Sequence, residues 1–88
     1  MPIVVVCPER RDYTRSVEEY VRDYERRAGQ KLQIIDPESR DGADFCRSYD
    51  IAEYPSVVAL SADGSVLKIW KGTDLPLMNE VSYYDQDN

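Results

Sequence analysis

Hydrophobic residues change their spacing several times along this chain, and each change marks a predicted element. Ile3 to Val6 is an unbroken run of four β-branched or aliphatic residues, the pattern of a short strand covered on both faces. After the polar stretch CPERRD, Tyr13, Val17, Tyr20, Val21, Tyr24 and Ala28 recur every three or four residues. That spacing predicts an amphipathic helix over Tyr13–Ala28. Its other face carries Glu18–Arg22 and Asp23–Arg27, each an acid four residues before a base, a placement worth roughly 0.2–0.5 kcal/mol per pair. Arg26 and Arg27 complement the helix dipole, and Gly29 is predicted to end the helix.

KLQIID (Lys31–Asp36) reads as a second strand, and Asp36–Pro37 opens a polar loop. Asp41 is the predicted N-cap of a short helix reaching Tyr49. PSVVALS is a third strand, Asp63–Gly64 a hairpin turn, and SVLKIWK (Ser65–Lys71) a fourth strand antiparallel to the third. Gly72 interrupts, and Pro76 suits the first turn of a last helix with Leu77, Met78, Val81 and Tyr84 as its apolar side. The order is βαβ, helix, ββ, helix. A strand–helix–strand crossover implies parallel strands and the hairpin adds antiparallel ones. The expected fold class is α/β, a four-stranded mixed sheet with helices on both faces. One domain is expected over residues 1–84, with an acidic tail at 85–88.

Composition narrows the chemistry. A chain of 88 residues with 42% hydrophobic and 32% charged residues fits one globular domain. A net charge of −6 opposes a general affinity for nucleic acid or anionic lipid. No apolar run approaches the roughly 18 residues of a membrane helix. The opening MPIVVVCPERRD lacks the features of a secretory signal, so a cytoplasmic protein is expected. There is no histidine, which removes the commonest metal ligand and the commonest general base. The segment DPESRDGAD is acid-rich, but Pro37 and Arg40 break the ligand alternation of a calcium loop, and no metal site is expected. Two cysteines, Cys7 and Cys46, are too few for a disulfide scaffold.

Three segments in this order resemble the thioredoxin/glutaredoxin superfamily. YDIAEYPSVV looks like that family's Y-G-I-x-x-x-P-T segment, DGSVLKIWKG looks like its last hairpin, and the Tyr13–Ala28 helix matches the one that follows the active-site loop. The resemblance spans nearly the whole chain, without the extra N-terminal strand and helix of full thioredoxins. It implies a minimal thioredoxin-like fold in which Tyr54–Pro55 is cis and Pro55 faces the loop after the first strand. In the family the backbone before this proline pairs with an extended peptide or with glutathione.

The family's C-x-x-C motif is missing. One alignment places RDYT (Arg11–Thr14) at the motif, with no sulfur. The other places CPER there, making Cys7 the nucleophile and Arg10 the lost resolving cysteine. The first is favoured, because only four strand residues precede Cys7, and a Cys-Pro dipeptide is pushed toward extended geometry. Cys7 is then a small apolar strand-end residue. The alternatives are a reactive monothiol supported by Arg10 or Arg11, and a disulfide between Cys7 and Cys46. Cys46 is expected in the core, as is Trp70, sharing a face with Val66.

These readings lead to a non-catalytic binding or accessory domain. Its groove comprises Arg10, Arg11, Tyr13, Tyr54 and Pro55, it needs no cofactor, and its partner is a peptide or protein. The alternative is a glutathione-linked monothiol oxidoreductase using Cys7. An exposed sheet edge also permits a weak homodimer beside the monomer.

Overall fold

Ile3–Val6 forms strand β1, and all four side chains are buried, at 0–4% exposure. Two strands pair along its edges, and the helices pack on its two faces. The structure, a computed structural model, describes residues 3–85. It continues with α1 (Thr14–Ala28), β2 (Gln33–Ile35), α2 (Arg40–Tyr49), β3 (Ser56–Leu60), β4 (Val66–Lys71) and α3 (Met78–Asp85). The strands lie in the order β2-β1-β3-β4. β1 and β2 are parallel, joined through α1, while β1·β3 and β3·β4 are antiparallel. This is the expected four-stranded mixed sheet.

Strand alternation divides the interior into two cores. Ile3 and Val5 point to one face with their cross-strand partners Ala59 and Val57, and there meet Val17, Val21 and Tyr24 of α1 and Val81 of α3. Val4 points to the other face with Val58, and joins Val6, Cys46 of α2 and Ile51. α1 and α3 therefore cover one side of the sheet and α2 the other. Cys7 packs in the first cluster and Cys46 in the second, so the sheet separates them and both thiols are free.

Several local expectations need correction. The N-cap of α2 is Ser39, not Asp41: Ser39 Oγ accepts from the Gly42 N–H at 3.0 Å and donates to the Asp36 carbonyl at 2.7 Å. Asp23 pairs with Arg26, three residues on, and neither Glu18–Arg22 nor Asp23–Arg27 is an ion pair among the described residues. A register shift between Ala59 and Leu60 pairs Leu60 with Val66. Leu60 packs on the second core, so Val66 leaves the face of Trp70, which packs on the first; Val66 is 40% exposed. Leu77 is 68% exposed and contributes nothing to the apolar side of α3. Asp85, read as the start of the tail, is the last residue of α3 and is buried; positions 86–88 lie outside the described residues. Gly29 does end α1 in the left-handed conformation, donating its N–H to the Glu25 carbonyl at 2.9 Å.

Two features give measurable consequences. A Cβ at Gly42 would lie 1.8 Å from the Asp36 carbonyl oxygen, and backbone cannot step aside as a flexible side chain can. Gly42→Ala is expected to cost about 3 kcal/mol, at the upper end for overpacking, measured by urea denaturation. A loss below about 0.5 kcal/mol would show that α2 can move off the loop. The second feature is a pair of phenols, Tyr24 buried and Tyr20 half-buried. Tyr20 donates to the Pro76 carbonyl at 2.6 Å, and burial, with a contribution from Glu80, raises its pKa to about 12. The Tyr24 pKa is also raised, by burial first and then by its hydrogen bond to Asp85 at 2.9 Å. A folded-state pKa above the unfolded value gives stability that is complete below about pH 10 and lost as pH rises through the folded value. Unfolding free energy should therefore be insensitive to these groups up to about pH 9.5 and fall between pH 10 and 12. The fall should be shallower in Tyr20→Phe and Tyr24→Phe; equal slopes in both variants and the parent would refute it.

Candidate functional site

The resemblance directs attention to the end of β1, where the chain leaves the sheet for α1. The Cys7 N–H donates to the Ile35 carbonyl at 3.0 Å, continuing the β1·β2 ladder by one residue. Cys7 is therefore a strand-end residue, and it is only 3% exposed. Its thiol donates to the Pro8 carbonyl at 3.3 Å. Burial pushes the thiol pKa up; a hydrogen bond with Thr14 acts the other way, and Glu18 and Asp36 add to the rise. No cation contributes to this balance. Arg11, expected to support a thiolate, forms an ion pair with Glu38 at 2.6 Å.

The loop to α1 closes through one hydroxyl. Thr14 Oγ1 donates to the Pro8 carbonyl at 2.8 Å and accepts the Arg11 N–H at 3.0 Å, while the Thr14 N–H donates to the Arg11 carbonyl at 3.1 Å. Tyr13 occupies the N-cap position without a side-chain cap bond. The beginning of α1 thus carries Arg11, Asp12, Tyr13 and Thr14, with no sulfur, and Cys7 stands upstream of it.

β3 enters from the opposite side. The antiparallel register ends with Val6 facing Ser56, and one further step places Pro55 opposite Cys7. The Tyr54–Pro55 bond is cis. Pro55 is fully buried, and its carbonyl accepts the Gly72 N–H at 2.8 Å. Tyr54 is half-buried against the second core. Its phenol pKa is raised by burial and then by the Cys46 thiol beside it. Tyr13 is also half-buried, packing on the first core. Tyr13 lies within electrostatic reach of Arg11 and Glu38, and Tyr54 within reach of Glu38 and Tyr13. Arg11, Tyr13, Tyr54 and Pro55 therefore converge at one end of the sheet. Arg10 is exposed, and its carbonyl accepts from the Arg11 guanidinium at 3.2 Å.

A cleft of about 260 Å³ opens on the other side of Cys7, between β2 and α1, lined by Thr14, Glu18, Ile34 and Asp36 among others. Its charge is acidic. Sequence reasoning missed Thr14, Glu38 and Ser39 as the residues that fix these loops. Ser39 was legible as a small hydroxyl residue preceding a short helix; the Arg11–Glu38 pair spans 27 positions and had no local signal. No group of three or more potential metal ligands occurs among the described residues.

No protein-family model and no curated protein matches the chain. Among solved structures it is similar to thioredoxin 1 from the thermophilic eubacterium Thermosipho africanus. The match has a TM-score of 0.68 at 12% sequence identity and covers 98% of this chain and 91% of that one. At that identity the likeness speaks for the backbone alone, and it agrees with the sheet order, the crossover through α1 and the helices on both faces. The chain has a thioredoxin-like fold.

Proposed function

We propose that this chain is a binding or accessory domain without thiol chemistry, which uses the end of the sheet around Pro55 to hold an extended peptide segment of a partner protein. One observation carries the reading. The N-terminus of α1 has no sulfur, and the nearest thiol, Cys7, is buried at 3% exposure with its pKa raised. A nucleophilic thiol needs the reverse, an accessible sulfur whose pKa is lowered by a cation or a helix N-terminus. With Arg11 engaged by Glu38, the exposed recognition groups are Arg10 and the outer part of Tyr54. An extended segment would pair its backbone beside Pro55 and set an apolar side chain against Tyr54. The setting is cytoplasmic, and no cofactor is required.

The competing reading is a glutathione-linked monothiol oxidoreductase. The cleft beside Cys7 favours it, since that space would have to admit the second sulfur. Its acidic lining by Glu18 and Asp36 disfavours an anionic thiol partner.

Brief iodoacetamide exposure from pH 5 to 9, with and without glutathione disulfide and read by mass spectrometry, separates the two. The binding reading expects slow labelling of both cysteines below pH 8.5 and no glutathione adduct. Rapid labelling of Cys7 below pH 7 with an adduct at that residue overturns it. Peptides selected on the immobilised protein supply the positive arm. Arg10→Glu, at an exposed position, should weaken them without changing the Tm, and adding Tyr54→Ala should bring the loss to at least tenfold at some cost in Tm, because Tyr54 packs on the second core; unchanged affinity would remove the groove from consideration.

A further inference from the structure

β4 is the last strand of the sheet, and the ladder shows which of its backbone groups are free. The Gly72 N–H bonds to the Pro55 carbonyl, so Pro55 and Gly72 form a hydrogen-bonded pair. Antiparallel pairs alternate between bonded and non-bonded. Val57–Trp70 and Ala59–Lys68 are then bonded pairs, while Ser56–Lys71 and Val58–Ile69 are not. On an edge strand the residues of non-bonded pairs turn their N–H and C=O groups away from the sheet. Ile69 and Lys71 therefore present free donors and acceptors to an incoming strand.

The side chains along this edge are unusual for the molecule. Two of the three lysines in a chain of net charge −6 sit here, Lys68 and Lys71, and the strand Val66–Lys71 contains no acid. Leu67 is 51% exposed. Beside the strand, α3 leaves a cleft of about 300 Å³ walled by Trp70, Tyr83 and Tyr84, with Lys68 contributed by β4 and Asn79 and Glu80 by α3. Trp70 meets Tyr84 edge-on at 5.6 Å, Tyr83 meets Tyr84 at 90°, and Tyr83 is 71% exposed. The Lys68 ammonium lies 6.0 Å from the Trp70 ring centre. Rigid aromatic walls next to a cation form a surface suited to an apolar anchor flanked by carboxylates.

We infer that the β4 edge is a second docking site, which takes an extended acidic peptide as an added strand. The peptide carries two acidic residues three positions apart, opposite Lys68 and Lys71, with two apolar residues between them. One of those, aromatic, enters the cleft next to Trp70; the other lies alongside Ile69. The spacing follows from alternation: Lys68 and Trp70 share one face, Ile69 and Lys71 the other. A second copy of this chain is the poorer occupant. Opposed residues of an antiparallel pair share a face, so β4·β4 pairing centred on Trp70 would set Ile69 opposite Lys71, and a second β4, which contains no acid, offers neither lysine a counter-charge. Lysines on an edge also discourage self-pairing in general. The same charges select for an acidic strand.

The probe is the acetylated, amidated octapeptide Ser-Thr-Glu-Phe-Val-Glu-Thr-Ser, titrated into the ¹⁵N-labelled protein at low salt. Binding should shift the amides of Ile69 and Lys71 and raise their protection from hydrogen exchange, with the Trp70 indole responding in parallel. Replacing both glutamates by lysine should weaken binding at least tenfold, and the double variant Lys68→Glu/Lys71→Glu should reverse that preference. Lys71→Pro removes an outward N–H that the fold does not use, so it should abolish binding while the Tm stays within a few degrees. Absence of any response at Ile69 and Lys71, equal affinity for the acidic and basic peptides, or shifts confined to Tyr54 and Ser56 would each overturn the inference. So would sedimentation showing that the free protein already pairs through β4 as a dimer. Only the shifts at Tyr54 and Ser56 bear on the groove around Pro55, so the two sites stand or fall separately.

Discussion

The burial of β1 on both faces is the constraint on which the rest of the molecule depends. A strand between two partners satisfies its backbone groups on both edges, and here it also gives up both side-chain faces to the interior. Fully burying one aliphatic side chain contributes roughly 1.5–3 kcal/mol, against a typical total stability of only about 5–15 kcal/mol. Four such residues in succession therefore outweigh any single surface interaction in this chain. The helices then have no choice of side. α1 must supply Val17, Val21 and Tyr24 to the face of Ile3 and Val5, and α2 must supply Cys46 to the face of Val4 and Val6.

The fate of Cys7 follows from that strand. Since its N–H continues the ladder to Ile35, its side chain follows the alternation of Ile3 and Val5 and enters the first core. A sulfur held in this way loses solvent, and desolvation opposes the thiolate. The Thr14 hydroxyl works in the other direction, but acids at Glu18 and Asp36 reinforce the loss. The cation that could have compensated is committed elsewhere, because Arg11 reaches Glu38 across the loops. Chemistry and architecture therefore agree: the end of β1 is built as a packed joint between strand, loop and helix.

Much of the architecture was legible because it is written in local periodicity. The β-branched run of β1, the three-and-four spacing of α1, the Gly29 stop and the Asp63–Gly64 turn each depend on residues adjacent in sequence. The errors fall where distant residues decide. Ser39 rather than Asp41 caps α2 because the Asp36 carbonyl lies within reach of Ser39 Oγ. Val66 leaves the face of Trp70 because of one register shift opposite Leu60, and such a shift has no signature in hydrophobic pattern. Leu77 was counted as core on spacing alone, yet it precedes the first turn of α3 and points to solvent. At the site, the placing of Arg11, Tyr13, Tyr54 and Pro55 at one end of the sheet could be drawn from resemblance; the contact of Tyr54 with the Cys46 thiol could not.

The two ends of β3 explain why one small domain can present two different surfaces. At its start the strand meets the end of β1, where proline, buried thiol and half-buried tyrosines close the end of the sheet. Along its length it pairs with β4, which has no further strand beside it among the described residues and keeps its outer hydrogen-bonding groups. An edge of this kind has to be either blocked or used. β4 is six residues long, whereas β2, the opposite edge, has only three. Shortness blunts β2. At β4 the lysines discourage pairing with a like strand, while the ring walls of Trp70 and Tyr83 add apolar surface that blocking alone would not require. A purely protective edge would be expected to carry charge without the aromatic cleft, so the combination points to selectivity among strands rather than exclusion of all of them.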